Sequence, residues 1–128
     1  MRLVEGRPEM HRFLHDRVRS FPLRVTSVIA RTECLVLALR DSMDDVVAVY
    51  DQAFEFEELD VVAVDRPIAD EAARIPASFK LKVPDAIHVA TAVCRGVSHI
   101  LTTDSDLSRC HLYRNLHVEV IPRVAIDA

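Results

Sequence analysis

Apolar positions along the chain fall into two spacings, and the places where one gives way to the other mark the elements. RPEMHRFLHDRVRS (7–20) carries Met10, Phe13, Leu14 and Val18 at helical spacing, with Pro8 placed to open the helix. FPLRVTSV predicts a short strand from about Leu23 to Val28, and IARTECLVLALR a helix following it with almost no loop. In DDVVAVYDQAFEFEE (44–58), Val46, Val49, Tyr50, Ala53 and Phe56 share one side, and two aspartates open the segment where a helix dipole favours negative charge. LDVVAVD predicts an apolar strand, PIADEAARI a short helix, and ASFKLKV a loop ending at Pro84. The alanine-rich stretch VPDAIHVATAVCRG predicts a buried helix; SHILTTD, the weak segment DLSRCHLYRNL and a last strand, HVEVI, complete the chain. Short strands, apolar on both faces and separated by helices, predict an α/β fold with a parallel sheet covered on both sides. No internal repeat or glycine-rich linker divides residues 1–128, so a single domain is expected.

Composition narrows the function. No run of about eighteen apolar residues is present and the N-terminus lacks a signal-peptide pattern, which predicts a cytoplasmic protein with no membrane span. Cys34, Cys94 and Cys110 form no C-x-x-C pair, as suits a reducing compartment. Gly6 and Gly96 are the only glycines, which excludes phosphate-cradling P-loops and dinucleotide fingerprints. The net charge of -4 conceals an asymmetry: residues 1–40 hold eight arginines against four acids, and residues 41–65 nine acids and no base. A basic N-terminal third can track a nucleic-acid backbone, or be a solvated helix face of mixed charge.

Three acids stand out. Glu33 has Ile29 and Ala30 one turn before it and Val36 and Leu37 one turn after, which predicts a carboxylate within an apolar stripe. Burying it costs several kcal/mol unless it is paired, protonated or bound to a cation. Asp85 shares a row with Val89 and Ala92, while His88, Thr91 and Arg95 form a separate polar stripe. Asp104 ends the strand HILTT, and open α/β sheets place ligands at the carboxyl ends of their strands. Each acid also has a structural explanation. Asp85 can serve the helix dipole behind Pro84, Asp104 can cap a short helix, and Glu33 can pair with Arg24 or Arg12. Convergence of all three at one sheet edge is better explained by a hard cation such as Mg²⁺ or Mn²⁺.

The order of S-x-x-x-x-x-E-C-L, P-D-A-I-H-V-A-T-A and I-L-T-T-D-S-D-L resembles the PIN domain, specifically the VapC-type toxins of toxin–antitoxin pairs, from about Val4 to Ile121. The resemblance implies a three-layer α/β/α fold with a short, mostly parallel central sheet. It implies a metal-dependent endoribonuclease using Mg²⁺ or Mn²⁺, an RNA substrate, a homodimer and a VapB-type antitoxin as inhibitor. Glu33, Asp85 and Asp104 match family acids and are the implied catalytic and metal-binding residues, with Asp106 assisting the metal. The implied chemistry is attack of water on a phosphodiester, the cation lowering the water's pKa. His88, on the polar stripe, is expected to be a surface histidine rather than a base.

The family carries a first aspartate on a strand preceding the segment that V-E-G-R-P resembles, and here that segment begins at Met1. A truncated start, a degenerate protein that binds without cutting, and a strand supplied by another chain are the competing accounts, and all three predict weak or no nuclease activity for the chain as given. Glu5 and Asp16 are the nearest acids, and neither follows an apolar strand. His11 and His15 have zinc-compatible i, i+4 spacing with no third ligand nearby, as on an exposed helix face. The Val46-to-Phe56 stripe, widened by Phe54, is core with room for a dimer contact. A phospho-receiver reading fails because Lys80 and Lys82 precede a helix rather than end a strand.

Overall fold

A computed structural model describes residues 24–121. The chain enters at strand β1 (Val25–Ser27) and turns directly into helix α1 (Val28–Arg40). Ser27 makes that abrupt turn possible: it is extended, buried, and its Oγ accepts the Ile29 N–H at 3.3 Å, satisfying an amide the helix cannot. Helix α2 (Asp44–Phe54) packs antiparallel to α1 through a tight turn at Asp41–Met43, in which Ser42 is left-handed (φ 54°). Strand β2 (Asp60–Val62) then pairs parallel to β1, in register Val25 to Asp60 and Ser27 to Val62.

Helix α3 (Arg66–Arg74) starts at an Asp65 cap, whose carboxylate accepts the Ile68 N–H at 3.0 Å, with Pro67 in the first turn. A 3-10 turn (Ala77–Phe79) leads to helix α4 (Val83–Cys94). Strand β3 (His99–Thr102) and strand β4 (His117–Val120) form a second parallel pair, His99 opposite His117 and Thr102 opposite Val120. Two 3-10 turns, Ser105–Cys110 and Tyr113–Asn115, connect them. Every described ladder is parallel, as short strands separated by helices predict, and the fold is mostly helical α/β/α around a small sheet. Among the described residues that sheet consists of two separate pairs, β1–β2 and β3–β4.

What joins the two pairs is α4. Ala90 packs with Val62 and Ile68 on the β1–β2 side, while Val89 and Ala92 pack with Leu107, Cys110 and Leu116 on the β3–β4 side. Four successive residues, Val89 to Ala92, are buried, and small side chains let other elements approach the helix on more than one face. Thr91, buried among them, satisfies its hydroxyl by donating to the Ile87 carbonyl at 2.7 Å. A second tie is polar. The buried Glu71 on α3 accepts from Arg114 Nε at 2.8 Å and from the Tyr113 hydroxyl at 3.3 Å, pinning the 113–115 turn to that helix.

Predicted elements and observed ones differ mainly at ends. The helix expected over 44–58 stops at Phe54, where Glu55, Glu57 and Glu58 add repelling charge and Phe56 stays exposed rather than buried. The segment DLSRCHLYRNL, which has neither period, folds as 3-10 turns rather than a regular helix. The helix expected over 7–20, with His11, His15, Glu5 and Asp16, lies outside the described residues, as does the Arg12 considered as a partner for Glu33.

Leu116 is 1% exposed and Leu112, four residues earlier, 61%. We expect Leu116→Ala to lower unfolding stability by about 2–4 kcal/mol through lost burial and a residual cavity. Leu112→Ala should cost under about 0.5 kcal/mol at its exposed site. Chemical denaturation of the two variants side by side checks the contrast.

Candidate acidic site

Three elements deliver the carboxylates to one edge. Asp85 occupies the first turn of α4, directly behind Pro84, where the ring fixes φ and the free amides favour an anion. Asp104 follows the end of β3 and caps the 105–110 turn: its Oδ1 accepts the Asp106 N–H at 2.9 Å, and its own N–H donates to Thr102 Oγ1 at 3.0 Å. Glu33 lies midway along α1, on the helix that follows β1.

Asp85 registers the company it keeps. Burial pushes its pKa above the ordinary carboxylate value, and Asp104, Glu33 and Asp106 push it further, while His88 opposes them. The four acids singled out in the sequence thus lie within one another's fields. Three of them are nevertheless already engaged. Glu33 Oε1 lies 2.5 Å from His88 Nε2, Asp106 pairs with Arg109 at 3.1 Å, and Asp104 spends one oxygen on its cap.

This arrangement corrects two expectations. Glu33 is not buried in an apolar stripe: its side chain is 47% exposed, and Val36 and Leu37 beside it are exposed as well. His88 is not a bystander on the surface: its side chain is 23% exposed and reaches across from α4 to α1. Its i, i+3 spacing from Asp85 was the available signal, since residues three apart on a helix are neighbours. The alternative explanation of Asp104 as a cap holds in full, and so does that of Asp85 as an acid in a first turn. The arginine proposed for Glu33 goes elsewhere, Arg24 pairing with Glu58 at 2.5 Å.

Arg109 was not anticipated. Besides Asp106, it donates to the carbonyls of Phe79 and Lys80 at 3.3 and 3.4 Å, holding the loop before α4 against the turn that carries Asp104. Lys80 is left-handed there (φ 54°), so its carbonyl turns outward, towards the guanidinium.

Mg²⁺ and Mn²⁺ favour several oxygen ligands drawn together around one point. Among the described residues, no three His, Cys, Asp or Glu side chains come together in a way that holds a metal ion. The carboxylates converge as an electrostatic field without forming a closed donor set. Cys110 is buried in the core, where burial pushes its thiol pKa up, and Cys34, Cys94 and Cys110 form no disulfide. No helix among the described residues is long and apolar enough to cross a membrane.

The PIN domain profile matches residues 1–111, and the chain belongs to the PIN domain family. A solved structure described as a toxin–antitoxin complex from Klebsiella pneumoniae has a similar fold. Its TM-score is 0.63 at 23% sequence identity, over 83% of this chain and 82% of that one. No curated protein matches the chain.

The raised pKa of Asp85 makes a signed prediction. A carboxyl that ionises less readily folded than unfolded costs stability at neutral pH, and that cost fades as pH falls through the carboxylate range. Asp85→Asn removes the cost. Relative to wild type, the variant should therefore be at its most favourable near about pH 7 and lose that advantage towards about pH 4. Thermal melts of both proteins at the two pH values test this, and a variant that gains on wild type as pH falls contradicts it.

Proposed function

We propose that this chain is the toxin-type member of a toxin–antitoxin pair and acts as a PIN-fold module that binds its antitoxin without cutting RNA. The observation that carries this reading is the engagement of Glu33 by His88 and of Asp106 by Arg109, which leaves no three donors placed for a cation among the described residues. An edge where carboxylates repel one another attracts basic side chains more readily than RNA phosphates. A VapB-type antitoxin offering such side chains fits that field, and the family fold supports the pairing. The apolar stripe on α2 and just beyond its end, with Val49 and Phe56 exposed, leaves room for a homodimer contact.

The second reading is the nuclease, with Glu33, Asp85 and Asp104 as catalytic metal ligands for Mg²⁺ or Mn²⁺ and Asp106 assisting. What favours it is the raised pKa of Asp85, since three further carboxylates in range are the repulsion a divalent ion would relieve. In that reading Glu33 must leave His88 before it can serve a cation.

One experiment separates the two. The purified chain is incubated with structured RNA in Mn²⁺ or Mg²⁺, and its binding to an arginine-rich amphipathic peptide is measured in parallel. Binding-only function predicts intact RNA, and peptide affinity that falls about tenfold or more when Asp85 and Asp104 are both replaced by Asn, as expected for loss of two charge-assisted contacts. Mn²⁺-dependent cleavage that Asp85→Asn abolishes would overturn it in favour of the nuclease. His88→Ala sharpens the choice by freeing Glu33: unchanged Mn²⁺ affinity supports the binding module, and a gain supports the metal site.

A further inference from the structure

The end of the β3–β4 pair away from the carboxylates is lined by imidazoles. His99 and His117 are register partners whose rings stack with centroids 5.1 Å apart and planes 20° from parallel. His111 meets His117 edge-on, with centroids 5.7 Å apart. One imidazole also makes a backbone contact: His111 Nδ1 accepts the Val118 N–H at 3.1 Å.

The parity of β4 explains why that bond matters. The N–H of His117 goes to the Ser98 carbonyl at 2.8 Å and that of Ile121 to the Thr102 carbonyl at 2.7 Å, so the odd-numbered amides face β3. Val118 then points its N–H away from β3, on the side where β4 has no strand partner among the described residues, and the His111 ring covers it. The intervening loop is bent to bring the ring there. Leu112, Arg114 and Asn115 all have positive φ (71°, 49° and 65°), and the Leu112 N–H closes the loop onto the Leu116 carbonyl at 2.6 Å. Left-handed backbone at three non-glycine positions is strained, and it persists only while the surrounding contacts hold it.

An imidazole nitrogen accepts a hydrogen bond only while it carries no proton. We propose that His111 is a proton-operated latch on the outer edge of β4: the neutral ring closes the Val118 amide, and proton uptake at Nδ1 turns acceptor into donor and opens it. Among the described residues, the charged groups on the surrounding elements named here are engaged elsewhere or offer donors only. Arg109 and Asp106 on the 105–110 turn face each other, Arg114 faces Glu71 and Tyr113, and on α4 His88 faces Glu33. Arg95, at the end of α4, offers donors only. Glu119 lies two residues along from His117 on the same face of β4. His99 and His117 add repulsion once charged, since two stacked imidazolium rings oppose each other.

The latch is tested by residue-resolved amide exchange on the full chain at about pH 7.5 and about pH 5.5, on either side of the usual imidazole range and corrected for intrinsic exchange. The Val118 amide should lose protection about tenfold or more at the lower pH while the His117 and Ile121 amides keep theirs, a local rather than global opening. His111→Asn places a non-titrating acceptor near the Nδ1 position and should make Val118 protection equal at both pH values. His111→Phe should leave it unprotected at both. Val118 protection that does not change with pH in the wild type overturns the proposal, as does a pH-dependent loss that survives in His111→Phe or a parallel loss at His117 and Ile121.

Discussion

Burial of α4 is the constraint on which the rest of the molecule depends. Among the described residues β1–β2 and β3–β4 share no ladder, so their relative placement rests on a helix that packs against both. Val89, Ala90 and Ala92 reach both halves of the core, and alanine makes this possible because it brings backbones close at almost no cost in side-chain entropy. The same helix starts at Pro84, with Asp85 in its first turn, so the element that assembles the core also fixes one carboxylate of the acidic edge. A larger residue at Ala90 would push the strands apart and shift that carboxylate together with them.

At the acidic edge two demands compete. Carboxylates brought near one another raise the cost of ionising Asp85, and the fold moderates that cost locally through His88 on Glu33, Arg109 on Asp106 and the cap at Asp104. Each local solution uses the lone pairs that a cation would need. The fold thus satisfies its own acids with neighbouring side chains, and pairing and coordination compete for the same oxygens.

Much of this was legible in the sequence, for reasons that differ by element. The short segments around VTS and HILT, alternating with helical periods, gave the parallel α/β class because parallel strands need helical crossovers between them. Asp85 and Asp104 were legible as edge acids because their positions relative to Pro84 and to a strand end are local facts. Glu33 was placed on the right helix and given the wrong environment: the spacing of Ile29, Ala30, Val36 and Leu37 describes a stripe, but only packing decides whether a stripe is covered. The reach of His88 across to α1 and the three grips of Arg109 depend on contacts 55 and about 30 residues apart, which no local period encodes.

Strand β3 begins at His99 and is followed by Asp104, so the two kinds of titrating group described here stand at opposite ends of one extended segment, roughly 15 Å apart at the usual rise per residue. The strand axis therefore carries an electric polarity of fixed direction, its carboxylate end always the more negative, and a charged molecule drifting past is oriented the same way along it.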